Sequence, residues 1–293
     1  MLDPRVLSSI ADLELVARVT VDGTVSGLHR SPFHGYSAEF SQYRHYRPGD
    51  DLKYVDWKLF ARTDRVYTKQ YRETTNMPAE IALDASASMG FRGANGVSKF
   101  EYARVLAASL GHLVASQGDA VGLSVLGETL RTRVSGRSGQ PHFRRILAAL
   151  ASATPAGTTA PAALRRTVDL LQRRGLLIVL SDLYEEGDEA DAELRRAARF
   201  GHEVAVFHVL TRDELEFPYR GDVEFEDVES GQVLLTNAAT IAADYKTAVS
   251  AFLERWRTRC GAHGIDYTIA FTDAPPEEVL RTYLLRRMTA PRQ

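Results

Sequence analysis

Cysteine is nearly absent from this 293-residue chain. Cys260 is the only one, which excludes an intrachain disulfide and any zinc centre of the multi-cysteine kind. No apolar run approaches the roughly 18–20 residues needed to span a bilayer. The opening Met1-Leu2-Asp3-Pro4-Arg5 lacks the basic and apolar regions of a secretory signal, so a cytoplasmic location is expected. An excess of either charge is missing too. The 36 Lys and Arg against 38 Asp and Glu leave −2, which gives no global reason for nucleic acid or an anionic membrane as partner. Several catalytic signatures are also lacking: there is no Gly-x-Ser-x-Gly nucleophile elbow and no Gly-x-x-x-x-Gly-Lys-[Ser/Thr] phosphate loop. The eight histidines show no metalloprotease spacing. His208, inside an apolar run, reads as a core residue, and Cys260 as a small residue near a helix end.

What is present is a globular composition, 44% hydrophobic and 25% charged, in two parts with different rhythms. Val6, Ile10, Leu13 and Ala17 recur at helical spacing behind Asp3-Pro4, and Gly23 and Gly27 are expected to end that helix. From His29 to about Glu73 aromatics and bases interleave. Strand-like stretches at 38–46 and 66–72 flank a turn at Arg47-Pro48-Gly49-Asp50-Asp51. Trp57, Tyr54 and Phe60 are expected to anchor this segment on the rest of the protein. Asn76-Met77-Pro78 marks a boundary, giving an N-terminal module over 1–78 and a second domain over 79–293.

Beyond the boundary, strands and helices alternate. Ile81-Ala82-Leu83 runs into Asp84, Ser98-Lys99-Phe100-Glu101 forms a capping box, and Leu176–Leu180 is a buried-strand run ending at Ser181-Asp182. A helix is expected over 161–173, and a hairpin over 223–237, turning at Ser230-Gly231. The alternation predicts an α/β fold, a doubly wound and mostly parallel sheet with helices on both faces. Sites in such sheets lie at the carboxyl ends of strands where the strand order reverses. Asp84 and Asp182 both stand at strand ends.

Asp84-Ala85-Ser86-Ala87-Ser88 places one carboxylate and two hydroxyls in an extended turn, all hard oxygen donors suited to Mg²⁺ or Mn²⁺. Read alone, it is equally a polar strand-to-loop turn. The motif resembles the metal-ion-dependent adhesion site of von Willebrand factor type A domains, in which a later loop adds a threonine and a further strand end an aspartate. The resemblance implies a metal set of Asp84, Ser86, Ser88, Thr158 and Asp182, with Thr159 as the alternative threonine. Leu183 stands where many such domains have glycine. Tyr46-Arg47-Pro48-Gly49-Asp50-Asp51, Val55-Asp56-Trp57, Ala61-Arg62, Lys69-Gln70-Tyr71 and Arg212–Pro218 further resemble the bacterial family called domain of unknown function 58. That family joins such an N-terminal module to a von Willebrand type A-like domain. The resemblance implies a non-enzymatic, metal-dependent protein-interaction module that works with a MoxR-type AAA+ ATPase in assembling or activating other proteins. The alternative is nucleic-acid binding by segment 29–73, through stacking aromatics and Arg30, Arg44, Arg47, Lys53, Lys58, Arg62, Arg65, Lys69 and Arg72. Interspersed Asp50, Asp51, Asp56 and Asp64 break up any continuous basic stripe.

Overall fold

The structure is a computed structural model that describes residues 4–25, 37–47, 55–74, 77–184 and 187–289. It divides into two compact units: 33–77 forms one, and 1–32 with 78–293 forms the other.

Helix α1 (Pro4–Val25) opens the larger unit. It runs through Gly23, where an end was expected, and it belongs with the larger unit instead of with the aromatic module. The reason is packing. Leu13, Ala17 and Val21 are buried, Thr24 donates to the Glu277 carbonyl at 3.3 Å, and Arg281 donates to the Gly23 carbonyl at 2.7 Å. A helix held along its inner stripe by tertiary contacts tolerates a glycine that an isolated helix would not.

The smaller unit pairs β1 (Ser37–His45) with β2 (Tyr67–Thr74) in antiparallel register, with an irregularity between Phe40 and Gln42. Between them lies α2 (Trp57–Thr63), a helix missed in the sequence. Asp56 caps it by accepting from the N–H groups of Lys58 and Leu59, both at 3.0 Å. The other Asp56 oxygen accepts from the Tyr43 hydroxyl at 2.9 Å. Within this unit Trp57 is 58% exposed and sets its ring edge against Phe60. Tyr54 and the turn at 48–51 lie outside the described residues.

In the larger unit, β3 (Ala79–Asp84) leads through a short 3-10 turn (Ser88–Gly90) to α3 (Lys99–Ser116). Then come β4 (Val121–Leu126), β5 (Leu130–Arg137), α4 (Gln140–Ser152), α5 (Pro161–Asp169) and β6 (Leu176–Ser181). They are followed by α6 (Glu189–Arg199), β7 (Glu203–Leu210), α7 (Arg212–Glu216), β8 (Asp222–Glu226) and β9 (Val233–Asn237). Helix α8 (Ala238–Ala262), β10 (Asp266–Phe271) and α9 (Pro276–Thr289) complete it. The helix expected over 161–173 stops at Asp169.

Six strands form one sheet in the order β10-β7-β6-β3-β4-β5, all parallel except the edge strand β5. The central strands β3, β4 and β6 are buried along their whole length, as continuous apolar runs flanked by helices on both faces should be. One face is covered by α3, over which α1 packs. On the other, Leu164, Leu194 and Trp256 of α5, α6 and α8 join Leu177, Val179 and Val206 of the sheet in one apolar core. Burying a side chain of that size contributes about 1.5–3 kcal/mol. This is the doubly wound, mostly parallel α/β architecture that the alternation of strands and helices predicts. The connection leaving β3 runs to β4 on one side, and the connection leaving the adjacent β6 runs to β7 on the other. The carboxyl ends of β3 and β6 therefore flank the point where strand order reverses.

Candidate functional site

Asp84 closes β3, and its side chain is carried into that crevice because the strand ends there and its backbone bonds pass to neighbouring loops. Ala85 N–H donates to the Leu126 carbonyl at 3.1 Å, Ala87 N–H to Gly157 at 2.7 Å, and Ala156 N–H returns to Ala85 at 2.9 Å. Arg131 ties the same loops by donating to the carbonyls of Ala85 and Ala156. The Asp-x-Ser-x-Ser loop and the threonine loop are thus laced together by backbone before any side chain meets.

Asp84 is 3% exposed. One of its oxygens accepts from the Ser86 N–H at 2.8 Å and from the Thr159 hydroxyl. The other accepts from the Ser181 hydroxyl at 2.6 Å. The hydroxyls of Ser86 and Ser88 are hydrogen-bonded to each other at 3.0 Å. It is Thr159, not Thr158, whose hydroxyl reaches Asp84. Burial first, then the nearby Asp182 carboxylate, push the Asp84 carboxyl above its ordinary range, against the pull of its three hydrogen-bond donors.

Asp182 follows β6 at the same edge of the sheet, 1% exposed. Its side chain is engaged by a residue the sequence reading did not weigh as functional. Lys99 Nζ donates to Asp182 Oδ2 at 2.7 Å and to Glu214 Oε1 at 2.6 Å, with the lysine side chain only 1% exposed. Their attraction and hydrogen bonds hold the ammonium above its ordinary pKa although burial alone would lower it. Lys99 is placed by the capping box of α3, in which Ser98 accepts from Glu101 N–H and Glu101 accepts from Ser98 N–H. Glu214 is placed the same way, in the capping box that Thr211 opens for α7. A signal for Lys99 was available. It precedes Ala103, Leu106 and Leu110 at helical spacing, so it falls on the buried stripe of its own helix. For Glu214 and Ser181 no sequence signal pointed to the site.

Leu183 adopts φ 56°, the left-handed conformation that glycine takes without penalty. Its N–H donates to the Ser181 hydroxyl at 2.9 Å. The loop after Asp182 therefore takes a glycine-type geometry with leucine in place, at a cost of about 1–2 kcal/mol, partly offset by burying the leucine side chain.

The donor chemistry admits a hard divalent ion. Two ligand oxygens in adjacent positions of an octahedron with bonds of about 2.1 Å are about 3.0 Å apart, which is the Ser86–Ser88 hydroxyl spacing. Among the described residues no cation pairs with the buried Asp84, whose partners are an N–H and two hydroxyls. No group of three or more Asp, Glu, His or Cys is arranged to hold a metal among them either, so a centre here would rest on hydroxyls and Asp84. Other reactive groups are occupied or buried. His208 Nδ1 pairs with the Tyr267 hydroxyl at 2.6 Å, and burial pushes the Cys260 thiol up to about 12. Beside the site, a cavity of about 620 Å³ lies between Phe91, Glu214, Phe217 and the hairpin residues Phe225 and Leu234. Among the described residues no helix is long and apolar enough to cross a membrane.

The chain is similar to the uncharacterized protein Rv1480 of Mycobacterium tuberculosis, 30% identical over 235 residues that cover 79% of this chain and 73% of that protein. It is similar over a shorter stretch to the uncharacterized protein YeaD of Bacillus subtilis, 28% identical over 124 residues, 42% of this chain and 29% of that one. Among solved structures, it resembles the conserved hypothetical protein BatB from Bacteroides thetaiotaomicron (18% identity, TM-score 0.47, 73% of this chain and 100% of that one). It also resembles the VWA domain of SpRpn10 (11% identity, TM-score 0.41, 70% and 93%). The family described as "Protein of unknown function DUF58" matches residues 42–254, from within β1 to within α8, and the chain belongs to that family.

Proposed function

We propose that this protein is a non-enzymatic interaction module whose binding surface is centred on the carboxyl ends of β3 and β6 and depends on a divalent ion, Mg²⁺ or Mn²⁺. The observation that carries the reading is the buried Asp84 carboxylate, which among the described residues meets hydroxyls and no cation, beside the hydrogen-bonded hydroxyls of Ser86 and Ser88. Ser86, Ser88, Thr159 and Asp84 would hold the ion, with Asp182, already bonded to Lys99, on its outer side. When bound, the ion supplies positive charge and an exchangeable position for a carboxylate of a protein partner.

The von Willebrand factor type A-like fold within this family supports an interaction role. A MoxR-type AAA+ ATPase, or the protein on which it acts, is the partner the family resemblance names.

The test is a pull-down with the purified protein as bait and a purified MoxR-type ATPase as prey, run across EDTA, added Mg²⁺ and rising salt. Retention should be lost in EDTA, return with Mg²⁺, and fail with Asp84→Ala. Retention that ignores EDTA and Asp84→Ala would overturn the metal bridge. Nucleic acid captured in EDTA and released steeply by salt would replace the reading with the one based on segment 29–73.

A further inference from the structure

We infer that the aromatic cavity between the β8–β9 hairpin and helices α7 and α8 is a docking site for an extended, apolar segment of a partner protein that carries an arginine or a lysine. This contact goes beyond the metal reading above and needs no ion.

The cavity, about 620 Å³, is walled largely by aromatic rings. Phe217, just beyond α7, is buried, and its ring meets three others. The centroids lie 4.6 Å from Tyr245, 5.2 Å from Tyr219 and 5.6 Å from Phe225. Tyr219 and Phe225 stand edge to face at 5.3 Å, with 88° between their planes, so the rings brace one another. Tyr245 is further fixed by its hydroxyl, which donates to the Glu214 carbonyl at 2.9 Å. Phe91 adds a ring from the loop that follows β3. The faces of such rings carry negative potential and attract an ammonium or a guanidinium.

The charge around the cavity has one sign. Glu214, Glu226 and Asp227 line it, and none of the described lining residues is basic. Glu214 is already bonded to Lys99. Asp227 accepts from the Glu229 N–H at 2.9 Å and from the Ser230 hydroxyl at 2.5 Å. Both donors are neutral, so they fix the carboxylate without cancelling its charge. Glu226 is exposed on β8. A cation entering here is drawn by the rings and by the carboxylates together, and an anion is repelled.

The hairpin argues for a protein segment over a small organic cation. Val233, Leu234 and Leu235 on β9 are 54%, 55% and 74% exposed, and they carry the apolar surface outward from the cavity. Three consecutive exposed apolar residues are avoided on protein surfaces unless something covers them. Among the described residues β8 and β9 pair only with each other. Each strand therefore keeps an edge of backbone groups that an extended chain can meet.

The test is methyl NMR of the full chain in EDTA, reading the cavity residues Val233, Leu234 and Ile241. The probes are three peptides, acetyl-Gly-Leu-X-Leu-Gly-amide with arginine, glutamine or glutamate at X. The arginine probe should shift these methyl groups saturably and bind roughly threefold to tenfold tighter than the glutamine probe, with glutamate weakest. A double variant, Glu226→Gln with Asp227→Asn, removes both outer charges and keeps the acceptor oxygens of the turn. It should lose most of the preference for arginine over glutamine. No saturable shift with any probe, or arginine held no tighter than glutamine by wild type, would overturn the inference. So would an arginine preference that the double variant leaves intact. With EDTA present throughout, none of these outcomes depends on whether an ion binds at Asp84.

Discussion

Replacing Lys99 by methionine, which keeps the length of the side chain and removes its charge, should be among the most damaging single changes in the molecule. The ammonium is 1% exposed and bonds Asp182 at 2.7 Å and Glu214 at 2.6 Å, with those side chains 1% and 12% exposed. At a separation of about 3 Å and an effective dielectric constant near 20, each attraction is worth roughly 5 kcal/mol before desolvation. Desolvating the three charges takes back most of that total, so the intact cluster adds little net stability. Removing one member is a different matter, because two buried carboxylates lose their counter-charge together. The expected loss is about 3–5 kcal/mol, against a total stability of roughly 5–15 kcal/mol. Urea denaturation at neutral pH measures it as a fall in midpoint at constant slope. In a double-mutant cycle, Asp182→Asn should restore part of the loss, because it removes one of the two orphaned charges. A loss under about 1 kcal/mol, or no coupling to Asp182→Asn, would refute the account of Lys99 as the internal counter-ion.

Other expectations are more local. Ser98→Ala removes the acceptor that satisfies Glu101 N–H at 3.1 Å and should cost about 1 kcal/mol in the same denaturation assay. At Gly175 a Cβ would stand 2.2 Å from the Pro78 carbonyl oxygen, which is itself bonded to Leu176 N–H at the start of β6. Gly175→Ala should therefore cost about 1–3 kcal/mol or more, and a neutral result would mean that the β3–β6 start yields easily. His208 is held at about 4 by burial, from an ordinary 6.5. In the unfolded chain it takes up a proton that the folded state resists, so stability should fall as pH drops from about 6.5 through about 4. At 1.36 kcal/mol per pH unit the full effect is roughly 3 kcal/mol. A His208→Gln variant should lose that part of the acid slope, as thermal melts across the window would show.

The sheet was legible because its signals are local. Runs such as Leu176–Leu180 are apolar throughout, which only a strand covered on both faces tolerates, and Ser98 with Glu101 announces a helix start within four residues. The site was legible where strand ends carry it, at Asp84 and Asp182. Features that depend on distant contacts were not. The fate of α1 is decided by α3, α4 and α9, across which it packs, and nothing in its own spacing says which unit it joins. Helix α2 has only two turns and begins at a tryptophan in the aromatic segment between the two strand-like stretches, so its start rests on the Asp56 cap. Thr158 and Thr159 differ by one residue, and the backbone bonds from Ala156 and Ala87 between the two loops decide which hydroxyl meets Asp84.

The Lys99 pair bears directly on what the crevice can bind. A lysine beside a divalent site looks at first like a substitute for the metal, and it would be one if it faced Asp84. It does not: the ammonium lies on the Asp182 and Glu214 side, with the Tyr184 ring 4.9 Å away. Asp84, on the serine side, is met by hydroxyl and N–H donors. The two halves of the crevice thus differ in kind. On one side a buried cation bridges Asp182 and Glu214, which ties α3 and α7 to the end of β6. On the other, Asp84 has no cation partner among the described residues, and in the proposed reading an exchangeable ion would balance its charge. Held by Lys99, Asp182 would stay outside the coordination shell of the proposed ion, which Asp84 and the hydroxyls would form.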